Sequence, residues 1–153
     1  GNTDRHHENW ALLKVREHGN SYYRLAPLFD HGAALAASQT THGREHSAQD
    51  VARFYNKGKS AIFDSSGAPL GFAELAHACF QLEKTRWKRI DRCSRFVDRL
   101  LGITEAQISS CLNRFPDGTL TESDALFIQK YLAHSGAVLR SIQKTFRGLE
   151  GGS

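Results

Sequence analysis

The chain has 153 residues and 17.1 kDa, 40% of them apolar and 24% charged, enough for one domain with a core of its own. A net charge of +4 and a pI near 9.1 permit an acidic partner without requiring one. No run of about eighteen apolar residues exists, so no membrane-spanning helix is expected, and no signal-peptide pattern opens the chain.

Cys79, Cys93 and Cys111 form no CxxC pair, so neither a cysteine zinc site nor a redox motif is supported. The expectation is idle thiols in a reducing compartment, and hence a cytoplasmic protein.

Read in order, NWALLKV (9–15) and YYRLA (22–26) are short apolar runs rich in aromatics, with Gly19-Asn20 as a turn signal between them. They predict a β-hairpin. After Pro27 comes LFDHG, then a small, polar stretch over 31–46 that reads as loop. Ser47 and Asp50 have the spacing of a capping box before a short helix that Gly58 stops. AIFD followed by SSGAP predicts a brief extended piece and a turn.

Helical patterns cover 70–83 and 85–101. In the second, Trp87, Ile90, Cys93, Val97 and Leu100 step by three and four and mark one apolar face. A further helix spans 104–114. The last, capped by Thr121, spans 122–147, with Ile128, Leu132, Leu139, Ile142 and Phe146 on one stripe and Ser135 in its gap. The fold predicted is mainly α with a small N-terminal β-hairpin, one domain over 1–153, its helical part at 47–147. His77 lies in an apolar helix and reads as a core histidine.

Three stretches carry chemistry. The first is the opening GNTDRHHENW. Asp4 and Asn9 are five residues apart, and Asp30 follows the hairpin. Phosphoryl transfer asks for such a set. One carboxylate orients the attacking hydroxyl, while a carboxamide oxygen and a second carboxylate hold Mg²⁺ against the ATP phosphates, because hard cations take oxygen ligands. The hairpin would return the chain so that Asp30 meets the same centre. The competing reading is a surface loop with Asp and Asn in turn positions.

The second stretch is HGREH (42–46), which fits H-x-x-E-H, with His42 and His46 as zinc ligands and Glu45 as base of a hydrolase. Gly43 and a weakly helical neighbourhood speak for a polar loop instead. The third is a basic helix bearing Arg86, Lys88, Arg89, Arg92, Arg95 and Arg99 around the apolar stripe. It predicts either a binding surface for an anionic partner or a solvated face partly neutralised by Asp91 and Asp98. No aromatic is expected among the basic residues, which argues against single-stranded nucleic acid.

GNTDRHHENWALL followed by YRLAPLFDHGAAL resembles the catalytic loop and metal-binding segment of the HipA-like serine/threonine kinases. The D-R-H-x-x-N run is also similar to the loop of the phosphoinositide kinases. The resemblance covers about residues 1–35, the catalytic loop, hairpin and metal-binding segment. It implies a helical kinase C-lobe, with Asp4 as the catalytic aspartate, Asn9 and Asp30 as magnesium ligands beside ATP, and His6 bracing the loop. It also implies a protein substrate and, as in some members, a toxin role with a DNA-binding antitoxin partner.

A kinase needs a loop over the phosphates and a lysine that contacts them. No G-x-G-x-x-G or G-x-x-x-x-G-K-[ST] occurs in the chain, which contains no methionine. The expectation is a fragment whose ATP-gripping N-lobe is supplied in cis or in trans, inactive alone. On this reading 38–47 lies where an activation segment would run, with Ser38, Thr40 and Thr41 as candidate phosphosites.

Overall fold

A computed structural model of the chain describes residues 11–26 and 47–148. The first of these segments is a hairpin: β1 (Leu12–Glu17) pairs antiparallel with β2 (Asn20–Leu25), Leu12 opposite Leu25 and Glu17 opposite Asn20. The two-residue turn is His18-Gly19, both at positive φ (50° and 81°), so Asn20 starts the returning strand rather than making the turn. The paired positive φ values match the right-handed twist of the strands, and the residue that needs no Cβ occupies the more strained place.

From Ser47 on the chain is mainly helical. Ser47 accepts from the Asp50 N–H (3.2 Å) while the Asp50 carboxylate accepts from the Ser47 N–H (3.0 Å), closing the capping box of α1 (Ala48–Lys57). Gly58 ends the helix, and the Phe72 ring lies against it so closely that a Cβ there would meet the ring. The extended piece after it is β3 (Lys59–Phe63). The sequence reading missed its partner, the three-residue β4 (Pro69–Gly71).

Asp64 organises the connecting turn by accepting from the N–H groups of Ser66 (2.8 Å) and Ala68 (2.9 Å). Those bonds, led by the Ser66 hydroxyl, hold its carboxyl below the usual range. Helix α2 (Phe72–Trp87) follows, its Glu74 carboxylate capping the Gly71 N–H at 2.6 Å.

Lys88, in the left-handed region at φ 54°, breaks the chain between α2 and α3 (Asp91–Leu101). Thr104 and Gln107 make a second capping box, for α4 (Glu105–Leu112). Thr121 and Asp124 exchange the same bonds at the start of α5 (Glu122–Gly148). With 27 residues, α5 is about 40 Å long and touches each of the other four helices.

Two clusters line α5. Toward its start, Val51, Tyr55, Phe127 and Tyr131 are buried with Phe54, Phe72, Ala73 and Val138 around them. Phe54 meets the edges of Phe127 and Tyr131 at centroid distances of 5.8 and 5.4 Å. Toward its end, Phe80, Ile90, Val97 and Phe146 are buried, flanked by Cys93, Leu101, Leu139 and Ile142. Each fully buried ring or branched aliphatic contributes about 1.5–3 kcal/mol by leaving water.

Ile128 and Phe146 of the predicted stripe are buried, and Leu132, Leu139 and Ile142 half-buried. His77, expected in the core, is exposed and covers Phe146 from outside at 4.9 Å.

Among the described residues the buried Tyr131 hydroxyl has no hydrogen-bond partner, and the nearby Ser135 donates to the Tyr131 carbonyl oxygen (2.8 Å). An orphaned buried hydroxyl costs roughly 1–3 kcal/mol. Tyr131→Phe is therefore expected to leave stability unchanged or raise it by about 1 kcal/mol in urea unfolding. A loss above that would show that the hydroxyl is satisfied.

Candidate functional site

The residues named for phosphoryl transfer, Asp4, His6, Asn9 and Asp30, lie outside the described residues. So do His42, Glu45 and His46 of the zinc reading and the candidate phosphosites Ser38, Thr40 and Thr41. Among the described residues no three His, Cys, Asp or Glu side chains form a metal-binding group. No helix there is long and apolar enough to cross a membrane.

The structure does place the frame between the two halves of the kinase-like motif. The Ala26 N–H donates to the Ala11 carbonyl oxygen at 2.8 Å, which closes the open end of the hairpin. Asn9 is two residues before Ala11, and Asp30 is four residues after Ala26. At no more than about 3.3–3.6 Å of chain per residue, the chain length alone limits how far either can lie from that end. The predicted hairpin is present, while the meeting of Asp30 with Asp4 and Asn9 lies outside the described residues. Its own surface is unusual: every β1 residue except Val15 is exposed, and Leu12, Tyr22 and Tyr23 are open to solvent, Tyr23 by 66%.

The third predicted feature lies wholly within the described residues, and its form differs from expectation. The basic stretch is not one helix. Arg86 and Trp87 end α2, Lys88 turns the chain, and Arg92, Arg95 and Arg99 belong to α3. Because of that break Trp87 cannot share the apolar face of α3, and it is 46% exposed. Leu100 is exposed too, and Leu101 packs on the core in its place.

The break is held by a residue the sequence reading passed over. Glu83 is 2% exposed and sends its carboxylate to the start of α3, where it accepts from the N–H groups of Arg92 (3.0 Å) and Cys93 (2.8 Å). Ile90 at the N-cap offers no side-chain bond, so Glu83 serves as the cap from the neighbouring helix. Burial pushes its carboxyl up. The Cys93 amide and thiol, the Arg92 amide and the Arg89 charge outweigh that and hold it below the ordinary range.

The same contact, after burial, pushes the Cys93 thiol up to about 12, so this cysteine stays protonated and unreactive. The signal for Glu83 was present in the sequence: it continues the row Phe72, Ala76, Phe80 at helical spacing, so it is a charge on the apolar stripe of α2.

Asp98 fastens the far end of α3 to α5. It accepts from Gln143 Nε2 and from Arg147, both at 2.8 Å, while Gln143, buried, also donates to the Ser94 carbonyl oxygen at 3.0 Å. Those bonds hold the Asp98 carboxyl below its usual range, Gln143 first. Asp91 pairs with Arg95 (2.9 Å) and Arg89 (3.4 Å). Two acids are thus engaged with their own partners.

Arg86 and Arg92 set their guanidinium groups over the Trp87 ring, 5.9 and 5.7 Å from its centre. No family model, curated protein or solved structure matches the chain.

Proposed function

We propose that the chain is the C-terminal, catalytic-loop-bearing part of a HipA-like ATP-dependent serine/threonine protein kinase. The observation that carries this reading is the N-T-D-R-H-x-x-N run with L-A-P-L-F-D downstream, joined through a hairpin. The antiparallel hairpin between the two segments supports it, and the mainly helical body is of the class a kinase C-lobe requires.

In this reading Asp4 accepts a hydrogen bond from the acceptor hydroxyl and fixes its direction of attack on the γ-phosphate of ATP. Asn9 and Asp30 present oxygen donors suited to Mg²⁺, which supplies neutralising charge for the phosphates when bound. His6 braces the loop. Rate enhancement comes from positioning and charge rather than from a covalent intermediate. The phosphate-covering loop and its lysine belong to an N-lobe acting in cis or in trans, and the acceptor is a protein hydroxyl.

The test is transfer of labelled γ-phosphate by this chain together with its N-lobe, with Asp4→Asn and Asp30→Asn beside it. Transfer that persists in both variants, or none from a folded protein supplied with Mg²⁺, would remove the reading.

A further inference from the structure

Between residues 86 and 99 stand six basic and two acidic residues, a surplus of four that equals the net charge of the whole chain. The surplus is concentrated at the corner where α2 gives way to α3. Both acids there are already engaged, Asp91 by Arg89 and Arg95, Asp98 by Arg147 and Gln143. Arg86, Lys88, Arg92 and Arg99 form no ion pair among the described residues.

Aromatic rings alternate with these cations. Trp87 lies under the guanidiniums of Arg86 and Arg92 and stays 46% exposed. On α3, Arg95 and Phe96 lie three and four residues after Arg92 and four and three before Arg99, so the four share a single face, and Phe96 on it is 62% exposed. The interleaving that the linear sequence hid arises because the break at Lys88 swings Trp87 off the apolar stripe and beside Arg92.

We infer that this corner is a binding surface for single-stranded nucleic acid, with Trp87 and Phe96 as stacking platforms and Arg86, Lys88, Arg92 and Arg99 as phosphate contacts. A half-exposed ring with guanidiniums over it suits an unpaired base next to its phosphate, since a base can stack on the open part of the ring or on a guanidinium plane and arginine grips phosphate oxygens in pairs. An acidic peptide has no use for the exposed rings.

An anionic membrane would need a continuous apolar face to bury, but that of α3 (Ile90, Val97, with Cys93 and Leu101) is spent on the core against α2 and α5. A duplex presents phosphates but no open bases to stack.

The test titrates the 153-residue chain with a fluorescein-labelled dodecamer of uridine in low salt, read by anisotropy. Trp10→Phe leaves Trp87 as the single tryptophan, so its quenching reports stacking directly. Saturable binding with Trp87 quenching is expected, weakened at least ~5-fold by Trp87→Ala and by Arg92→Ala, with Trp87→Phe retaining most of it. Raising the salt should weaken binding steeply.

If Trp87→Ala alters the circular dichroism spectrum, the Arg92→Ala and quenching results decide alone. Unquenched Trp87, unchanged affinity in the variants, equal binding of a blunt duplex or heparin, or tighter binding to phosphatidylserine vesicles would each overturn the inference. None of these readouts depends on kinase activity.

Discussion

Asp4→Asn is expected to lower γ-phosphate transfer by roughly 10²–10⁴-fold, the range a positioned proton acceptor contributes. The side chain keeps its shape and one carbonyl-type oxygen, while the negative charge that would steer the acceptor hydroxyl on the proposed reading is gone. Asp30→Asn is expected to be as severe for a different reason. On the proposed reading it halves the charge that Asp4 and Asp30 together would offer a metal and replaces an anionic oxygen donor with a neutral one.

The two variants therefore separate by rescue. Raised Mg²⁺ or Mn²⁺ restores part of the Asp30→Asn rate and none of the Asp4→Asn rate. Melting temperature should be unchanged in both, because each substitution keeps the size and shape of the side chain. The measurement is initial rate against metal concentration on the protein with its N-lobe. Equal rescue of both variants would deny the division of roles. The 153-residue chain alone is expected to transfer little, since it carries no glycine-rich phosphate loop.

Much of the scaffold was readable because its signals are local. The capping box at Ser47, the cap at Thr121, the stop at Gly58 and the stripe on α5 depend on residues three or four apart, and the chain folds there as those spacings require. The hairpin turn was read one residue late, because Asn20 is as good a turn former as His18. Only strand pairing, which sets Glu17 against Asn20, decides between them.

What escaped the reading is what only tertiary contact fixes. β4 is three residues containing Pro69, too short to carry a pattern. The row Trp87, Ile90, Cys93, Val97 has flawless helical spacing and is still split. Lys88 ends α2 in left-handed geometry, and Glu83, nine residues before Arg92, supplies the cap of the next helix. The kinase-like residues are legible as a motif alone. Between them the structure describes only the hairpin, closed at Ala11 and Ala26.

Glu83→Ala is expected to destabilise the helical body by about 3 kcal/mol, the largest stability effect of any polar substitution in it. Two amides at the start of α3 lose their acceptor in a place that water reaches poorly, at roughly 1–2 kcal/mol each with the vacated space added. The loss is transmitted to both flanks. α3 holds Ile90 and Val97 in the second cluster, and its amide ends set the direction in which Trp87 and Arg92 meet.

Glu83→Gln keeps the volume and one acceptor oxygen, and should cost about half as much. The pH dependence fixes the sign. The folded carboxyl sits below its ordinary value of 4.5, so the unfolded chain takes up the proton first as acid is added. Its stabilisation is complete above that ordinary value and drains away as the pH falls through the lower, folded one. In urea titrations from pH 7 down to pH 3, the gap between the native chain and Glu83→Gln should therefore narrow below pH 4.5 and hold steady above it. A gap that widens in acid would mean that the buried carboxyl is protonated in the folded chain, and that α3 is capped by a neutral acid rather than a charge.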